Sequence, residues 1–253
     1  MTDTEVVHLS VDAGIATITL DSPHNRNALS RQLVAELTDR LERSAAMPEV
    51  RAVVLTHTGT TFCAGADLSE ASTGPMTGTA NALLAVLRTL ADLPLPVIAS
   101  IDGNVRAGGA GLLGGCDIVL AGPRSTFAIT EARLGLAAAV ISVTVLPRLD
   151  SRSAARYFLT GATFDAAEAQ RIGLVTVATD DLVGVLAALC ADLRKASPQG
   201  LVESKRIANR AVREAIERYG DDMIELSARL FASEEAHEGM TAFLERRLPR
   251  WTI

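Results

Sequence analysis

Two short stretches can do chemistry because their side chains are small. Phe62-Cys63-Ala64-Gly65-Ala66-Asp67-Leu68 and Ala107-Gly108-Gly109-Ala110-Gly111 each stand beyond a run of apolar, β-forming residues. Small residues let a ligand approach the backbone closely. Where such a loop opens a helix, its first N–H groups have no partner in the helix and favour negative charge. Two such loops facing each other would make an oxyanion hole, which stabilises charge developing on a carbonyl oxygen. The same residues also suit tight turns and close helix packing, so both readings stay open at this level. Glu131 is the third candidate. It ends a strand-like run and precedes the apolar Leu134-Gly135-Leu136. A carboxylate there is a candidate general base; it could equally start a helix or pair with Arg133.

Other chemistries find little support. Gly109, Gly111 and Gly114 spell GxGxxG, but several residues separate them from the strand before, and no strand ending in an acid follows at the distance a dinucleotide site needs. No GK[ST] or GxSxG is present. The four histidines, His8, His24, His57 and His237, have no metal-ligand spacing, and Cys63, Cys116 and Cys190 are too scattered for a disulfide framework or a metal knuckle. A net charge of −6 argues against nucleic acid as partner. Of 24 basic residues only Lys195 and Lys205 are lysine. The opening residues are acidic where a signal peptide is basic and then apolar, and the longest uncharged apolar run, 134–147, is short of a membrane span. A cytoplasmic protein without membrane contact is expected.

The elements that would position these residues alternate between strands and helices. Residues 6–12 and 15–20 read as a hairpin turning at Gly14. Ser30 can cap a helix with Leu33, Val34, Leu37 and Leu41 on one face. Residues 51–58 form a buried strand, 71–78 carry no periodicity and suggest a mobile loop, and 79–92 form a helix. Strands are expected at 97–101, 117–121 and 126–130. This alternation implies parallel strands in an α/β domain. Beyond residue 150 helices dominate (151–159, 165–172, 180–196 and most of 201–247), with one strand at 174–178.

Taken in order, several segments resemble the enoyl-CoA hydratase/isomerase (crotonase) superfamily over nearly the whole chain. They are Asn25-Arg26-Asn27-Ala28-Leu29, Arg51-Ala52-Val53-Val54-Leu55-Thr56, the two small-residue loops, Pro96-Val97-Ile98-Ala99 and Cys116-Asp117-Ile118. Phe127 through Glu131, Thr160-Gly161, Ala167-Glu168-Ala169 and Gly173-Leu174-Val175 continue them. The resemblance implies a ββα spiral core over 1–199 and a helical C-terminal region over 200–253 used for trimerisation, in a homotrimer or homohexamer. It implies an acyl-CoA thioester as substrate, with coenzyme A part of that substrate and no further cofactor or metal. By motif position, the N–H groups of Ala66 and Gly108 would form the oxyanion hole and Glu131 would move the proton. Ala28, Ala64, Gly65, Asp67, Leu68 and Gly109 would line the CoA site. Arg26 would lie near the CoA phosphates, and Phe243 and Arg246 would reach CoA from a neighbouring subunit.

The sequence departs from that pattern at two places. Family hydratases typically hold water with two glutamates, and the first falls at Gly111. The usual Pro-Gly-x-Gly-Gly is replaced by Ala138-Ala139-Val140-Ile141-Ser142. Hydration of a 2-enoyl-CoA, with a methylglutaconyl-like acyl group as one candidate, is the leading expectation. Isomerisation of a 3-enoyl-CoA by a single glutamate, or non-catalytic acyl-CoA binding, are the alternatives. Arg106, where many members are apolar, either reads an acidic acyl tail or pairs with a carboxylate such as Asp67.

Overall fold

A computed structural model describes residues 5–67, 70 and 76–253. Of the loop expected at 71–78, residues 71–75, like Leu68, lie outside the described residues, while 76–78 instead begin a helix. β1 (Val7–Asp12) and β2 (Ile15–Leu20) form the hairpin. Ala13 and Gly14 between them both have positive φ, 45° and 77°, as a tight two-residue hairpin turn needs. α1 (Arg31–Ala45) begins where Ser30 Oγ accepts from Leu33 N at 3.2 Å, and its Leu33, Val34, Leu37 and Leu41 are buried.

Three turns of a spiral follow, each a strand in a large sheet, a strand in a small sheet, then a helical segment. The first is β3 (Ala52–His57), β4 (Thr61–Cys63) and α2 (Met76–Asp92). The second is β5 (Val97–Ile101), β6 (Asn104–Arg106) and α3 (Gly108–Gly115). The third is β7 (Ile118–Ala121), β8 (Thr126–Ala128), a 3-10 turn (Glu131–Leu134) and α4 (Ala139–Val145). The chain continues through α5 (Ser151–Thr160), β9 (Phe164–Asp165), α6 (Ala166–Ile172), β10 (Val177–Ala178), α7 (Leu182–Lys195), α8 (Pro198–Ala208), α9 (Arg210–Phe231) and α10 (Glu234–Leu244). The large sheet runs β1-β2-β3-β5-β7-β10 and the small one β4-β6-β8-β9.

The small sheet positions the candidate residues. β4, β6 and β8 are parallel neighbours, with Asn104 opposite both Thr61 and Thr126. The segments leaving these three strands therefore emerge side by side. They are the segments that carry Ala66, Gly108 and Glu131. β4 and β6 were not expected as strands, because three residues are too few to show alternation. The expected strand at 126–130 ends at Ala128, and the one at 174–178 shrinks to two residues.

The core fills the space between sheets and helices, with Phe62, Phe127, Leu33, Leu55, Leu87 and Ile101 fully buried. Val212, Ile216 and Ile224 of α9 belong to the same core. A Cβ at Gly220 would lie 2.9 Å from Leu84 Cδ2, so α9 lies close on α2. A buried polar network fastens the C-terminal helices. Lys205 Nζ donates to Leu90 O (2.7 Å) and Leu95 O (2.9 Å) and pairs with Asp117 Oδ2 at 3.0 Å. Asn209 donates to Asp117 Oδ1 and accepts from Arg148. Arg148 in turn donates to Gly114 O and Cys116 O, both at 3.1 Å, satisfying carbonyls at the end of α3.

Candidate active site

The first loop is stitched to the segment after β2. Arg26 and Asn27 are both left-handed, with φ of 60° and 52°. Fully buried Asn27 holds that shape: its Oδ1 accepts from Ser22 N at 2.6 Å and its Nδ2 donates to Thr61 O at 2.7 Å. Ala64 N then donates to Arg26 O, and Leu29 N to Gly65 O at 2.8 Å. Asn25 Nδ2 donates to Asp67 Oδ2 at 3.2 Å. Ala28 is buried in this seam while the Arg26 side chain is exposed. The loop is thus a hydrogen-bonded shelf with an exposed cation, Arg26, beside it.

The second loop meets the first at glycine. Gly65 has φ +92°, and a Cβ there would stand 2.8 Å from Ala107 Cβ and 3.5 Å from Gly108 N. A Cβ at Gly108 would lie 2.6 Å from Leu29 Cδ1 and 3.9 Å from Ala66 N. At Gly109 it would meet Cys63 Cβ at 2.9 Å. Ala107 is the hinge, with φ 47° and ψ −115°, a conformation that costs a residue with a Cβ about 1–3 kcal/mol. Its N–H donates to Ala128 O on β8, and the kink turns the chain into α3 at Gly108. The N–H groups of Ala66 and Gly108 find no acceptor among the described residues. Two such donors a few ångströms apart can hold one oxyanion. Burial pushes the Cys63 thiol up to about 12, so it stays protonated and unreactive.

Glu131 opens the 3-10 turn after β8 rather than ending the strand itself. Its alternative as an ion pair with Arg133 is overturned, because Arg133 Nε donates to Thr160 O at 2.8 Å and no ion pair to Glu131 is found among the described residues. Glu131 Oε2 is shut off from solvent and has no hydrogen-bond partner among the described residues. Burial raises the carboxyl from its ordinary 4.5 to about 7, partly offset by the backbone N–H groups of Glu131 and Thr130. A carboxyl poised there exchanges protons readily at neutral pH.

Gly111, where a second carboxylate would stand, is sealed: a Cβ there would be 2.6 Å from Ile141 Cγ2. Neither Ile141 nor the helix α4 that carries it was expected as part of this wall; the apolar run 138–145 was the available signal. Arg106 does not pair with Asp67 or any other carboxylate among the described residues. It donates instead to Val105 O, Thr126 O, Thr126 Oγ1 and Asn104 Oδ1, an all-neutral set. Phe243 and Arg246 lie on the exposed C-terminal stretch, Phe243 at 53% exposure, and no hydrogen bond ties their side chains to the loops among the described residues. Asn27, Leu29 and Ala107 were not singled out as site residues; Asn27 and Leu29 lay within the quoted motif, whereas nothing marks an alanine for positive φ.

Three parallel strands of the small sheet, β4, β6 and β8, thus lead a ββα spiral into two N–H groups without an acceptor among the described residues and one buried carboxyl, a frame for an enzyme. Residues 10–253 match the enoyl-CoA hydratase/isomerase family, and the chain belongs to that family of enzymes. It is 33% identical to mevalonyl-coenzyme A hydratase of Aspergillus fumigatus, over 94% of this chain and 91% of that one. It is 31% identical to 2,3-dehydroadipyl-CoA hydratase of Escherichia coli, over 93% and 94%. The crystal structure of an enoyl-CoA hydratase from Mycobacterium avium superposes with a TM-score of 0.93 at 51% identity, covering 98% of this chain and 100% of that chain. No helix among the described residues is long and apolar enough to cross a membrane.

Proposed function

We propose that the chain hydrates a 2-enoyl-CoA, with Glu131 as the only proton-transferring side chain. The observation that carries this reading is the buried Glu131 carboxyl, whose Oε2 has no hydrogen-bond partner among the described residues and which is held at about 7. The thioester oxygen would be held by the N–H groups of Ala66 and Gly108. The Glu131 carboxylate takes a proton from water as its oxygen bonds to C3. The C2=C3 electrons move into an enolate whose charge rests on the thioester oxygen. The protonated Glu131 then returns its proton to C2, so atoms and charge balance. Exposed Arg26 suits the CoA phosphates, and Ala28, Ala64, Gly65, Asp67 and Gly109 would shape the shelf beneath the pantetheine and adenine. The relatives named for hydration support this choice of reaction.

A second reading has its own observation. Ile141 fills the space beside Gly111, so nothing there helps to orient water. One carboxylate suffices to take a proton from C2 of a 3-enoyl-CoA and deliver it to C4. Assay of Glu131→Gln with crotonyl-CoA and a 3-enoyl-CoA tests both. The favoured substrate should lose on the order of 100- to 10,000-fold in turnover, and the wild-type kcat/KM should fall on an acidic limb near pH 7 that the variant lacks. Full turnover by the variant would remove Glu131 from the reaction.

A further inference from the structure

Among the described residues no side chain orients the Glu131 carboxyl, which is met only by backbone N–H groups, so its place depends on the backbone turn that carries it. That turn is held from two sides. On one, Arg133 donates to Thr160 O, and a Cβ at Gly161 would meet Arg133 Nε at 2.9 Å. On the other lies α10. A Cβ at Gly239 would stand 2.4 Å from Leu134 O and 2.5 Å from Leu134 C. Reciprocally, a Cβ at Gly135, whose φ is +70°, would stand 2.5 Å from Glu235 C and 2.8 Å from Ala236 N. Two glycines thus interlock backbone against backbone, where no flexible side chain can yield. Ala236 and Gly239 lie three apart on one helix face and both are buried.

α10 is itself anchored. Ser233 Oγ accepts from Ala236 N at its start. Beyond its end, Arg247 reaches back to the buried Glu238 with a two-pronged contact of 2.7 and 3.0 Å, and Arg250 N donates to the same carboxylate at 2.9 Å. These partners hold the Glu238 carboxyl at about 2, so the clasp stays charged across the working pH range.

We infer that α10 is the seat of the proton-transferring glutamate, and that Gly239 is a positioning residue that sets where the Glu131 turn lies. This rests on the reading of Glu131 given above. No other residue type fits at 239: one added methyl drives the Leu134 carbonyl, and with it the 131–134 turn, away from α10.

The test is Gly239→Ala, with exposed His237→Ala on the same helix as control. Turnover of crotonyl-CoA should fall on the order of 100-fold, the effect of a misplacement of about 1 Å. Affinity for saturated butyryl-CoA should stay within about twofold, since the thioester shelf is untouched. The Glu131 carboxyl should also titrate closer to an ordinary carboxylate, because a displaced turn admits water. That titration is followed by carbon-13 NMR of glutamate-labelled protein, the signal assigned by its loss in Glu131→Gln. Unchanged turnover together with an unchanged titration would overturn the inference. So would an equal rate loss from Gly239→Ala in the Glu131→Gln background, which would mean the contact acts on the fold at large. If Glu131→Gln keeps full turnover while Gly239→Ala still moves the titration, the proposed function fails and the seating stands. Should Gly239→Ala be insoluble, Arg247→Gln loosens the same helix from its far end, and an unmoved Glu131 titration there would also overturn the inference.

Discussion

At the scale of single residues, the carboxyl proposed to move the proton carries a local stability cost. The folded Glu131 titrates at about 7 against an ordinary 4.5. Between those values the folded chain binds a proton that the unfolded chain has released. The group's contribution to stability is therefore full below about pH 4.5 and is lost as pH rises through about 7, a difference of at most about 3.5 kcal/mol. Glu131→Gln should accordingly unfold at higher temperature than the wild type near pH ~8 and at the same temperature near pH ~4; melting curves at the two values check this. Gly108 gives the complementary experiment. Its missing Cβ would touch Leu29 Cδ1 at 2.6 Å, the movable tip of a side chain. Gly108→Ala should therefore fold, with an unchanged far-ultraviolet spectrum, and lose on the order of 100-fold in kcat through a displaced oxyanion donor.

At the scale of elements, the active region depends on how α3 is held at both ends. Its first residue faces the first loop, and its last carbonyls are taken by Arg148, which is tied through Asn209 and Asp117 to Lys205 on α8. Lys205 is 6% exposed. Removing it leaves the Asp117 charge and two carbonyls without their cation, so Lys205→Ala should cost about 3–5 kcal/mol, read from the denaturant midpoint. This anchoring was not legible in the sequence, because its members are spread from residue 117 to 209 and none forms a local motif. The long elements were legible: α1 from its Ser30 cap and four-residue stripe, β3 from its continuous apolar centre. Of the small-sheet strands β8 was legible within 126–130, but β4, β6 and β9 were not, since two or three residues are too few to show alternation, and the helical character of Gly108–Gly115 was hidden by glycine's low helix propensity. At the site, the glycines and Glu131 could be picked out, but their approach could not, since Gly65 meets Ala107 only once β4 and β6 are paired. Arg106 was misjudged because a half-buried guanidinium can be satisfied by neutral oxygens alone.

At the scale of the whole molecule, the C-terminal helices and the spiral share one core. Val212, Ile216 and Ile224 fill it, and α9 lies along α2. We therefore expect deletion of 200–253 to give insoluble or inactive protein, assayed by size exclusion and turnover on the same preparation. A soluble, fully active truncated monomer would show that the spiral stands alone. Phe243, Leu244, Leu248 and Trp251 remain exposed on the isolated chain, apolar surface of the kind that marks a contact with another protein. The trimer or hexamer expected from the sequence would be measured by light scattering of the full chain.

The interlock of Gly135 with Gly239 also orders events in time. A ribosome adds about 5–20 residues per second, and roughly a hundred residues separate Glu131 from α10. For several seconds of each synthesis the nascent spiral can carry both small-residue loops and the glutamate without the helix that seats it. The Glu131 turn therefore waits on the last elements to be made, and chemistry switches on only as the final helix docks.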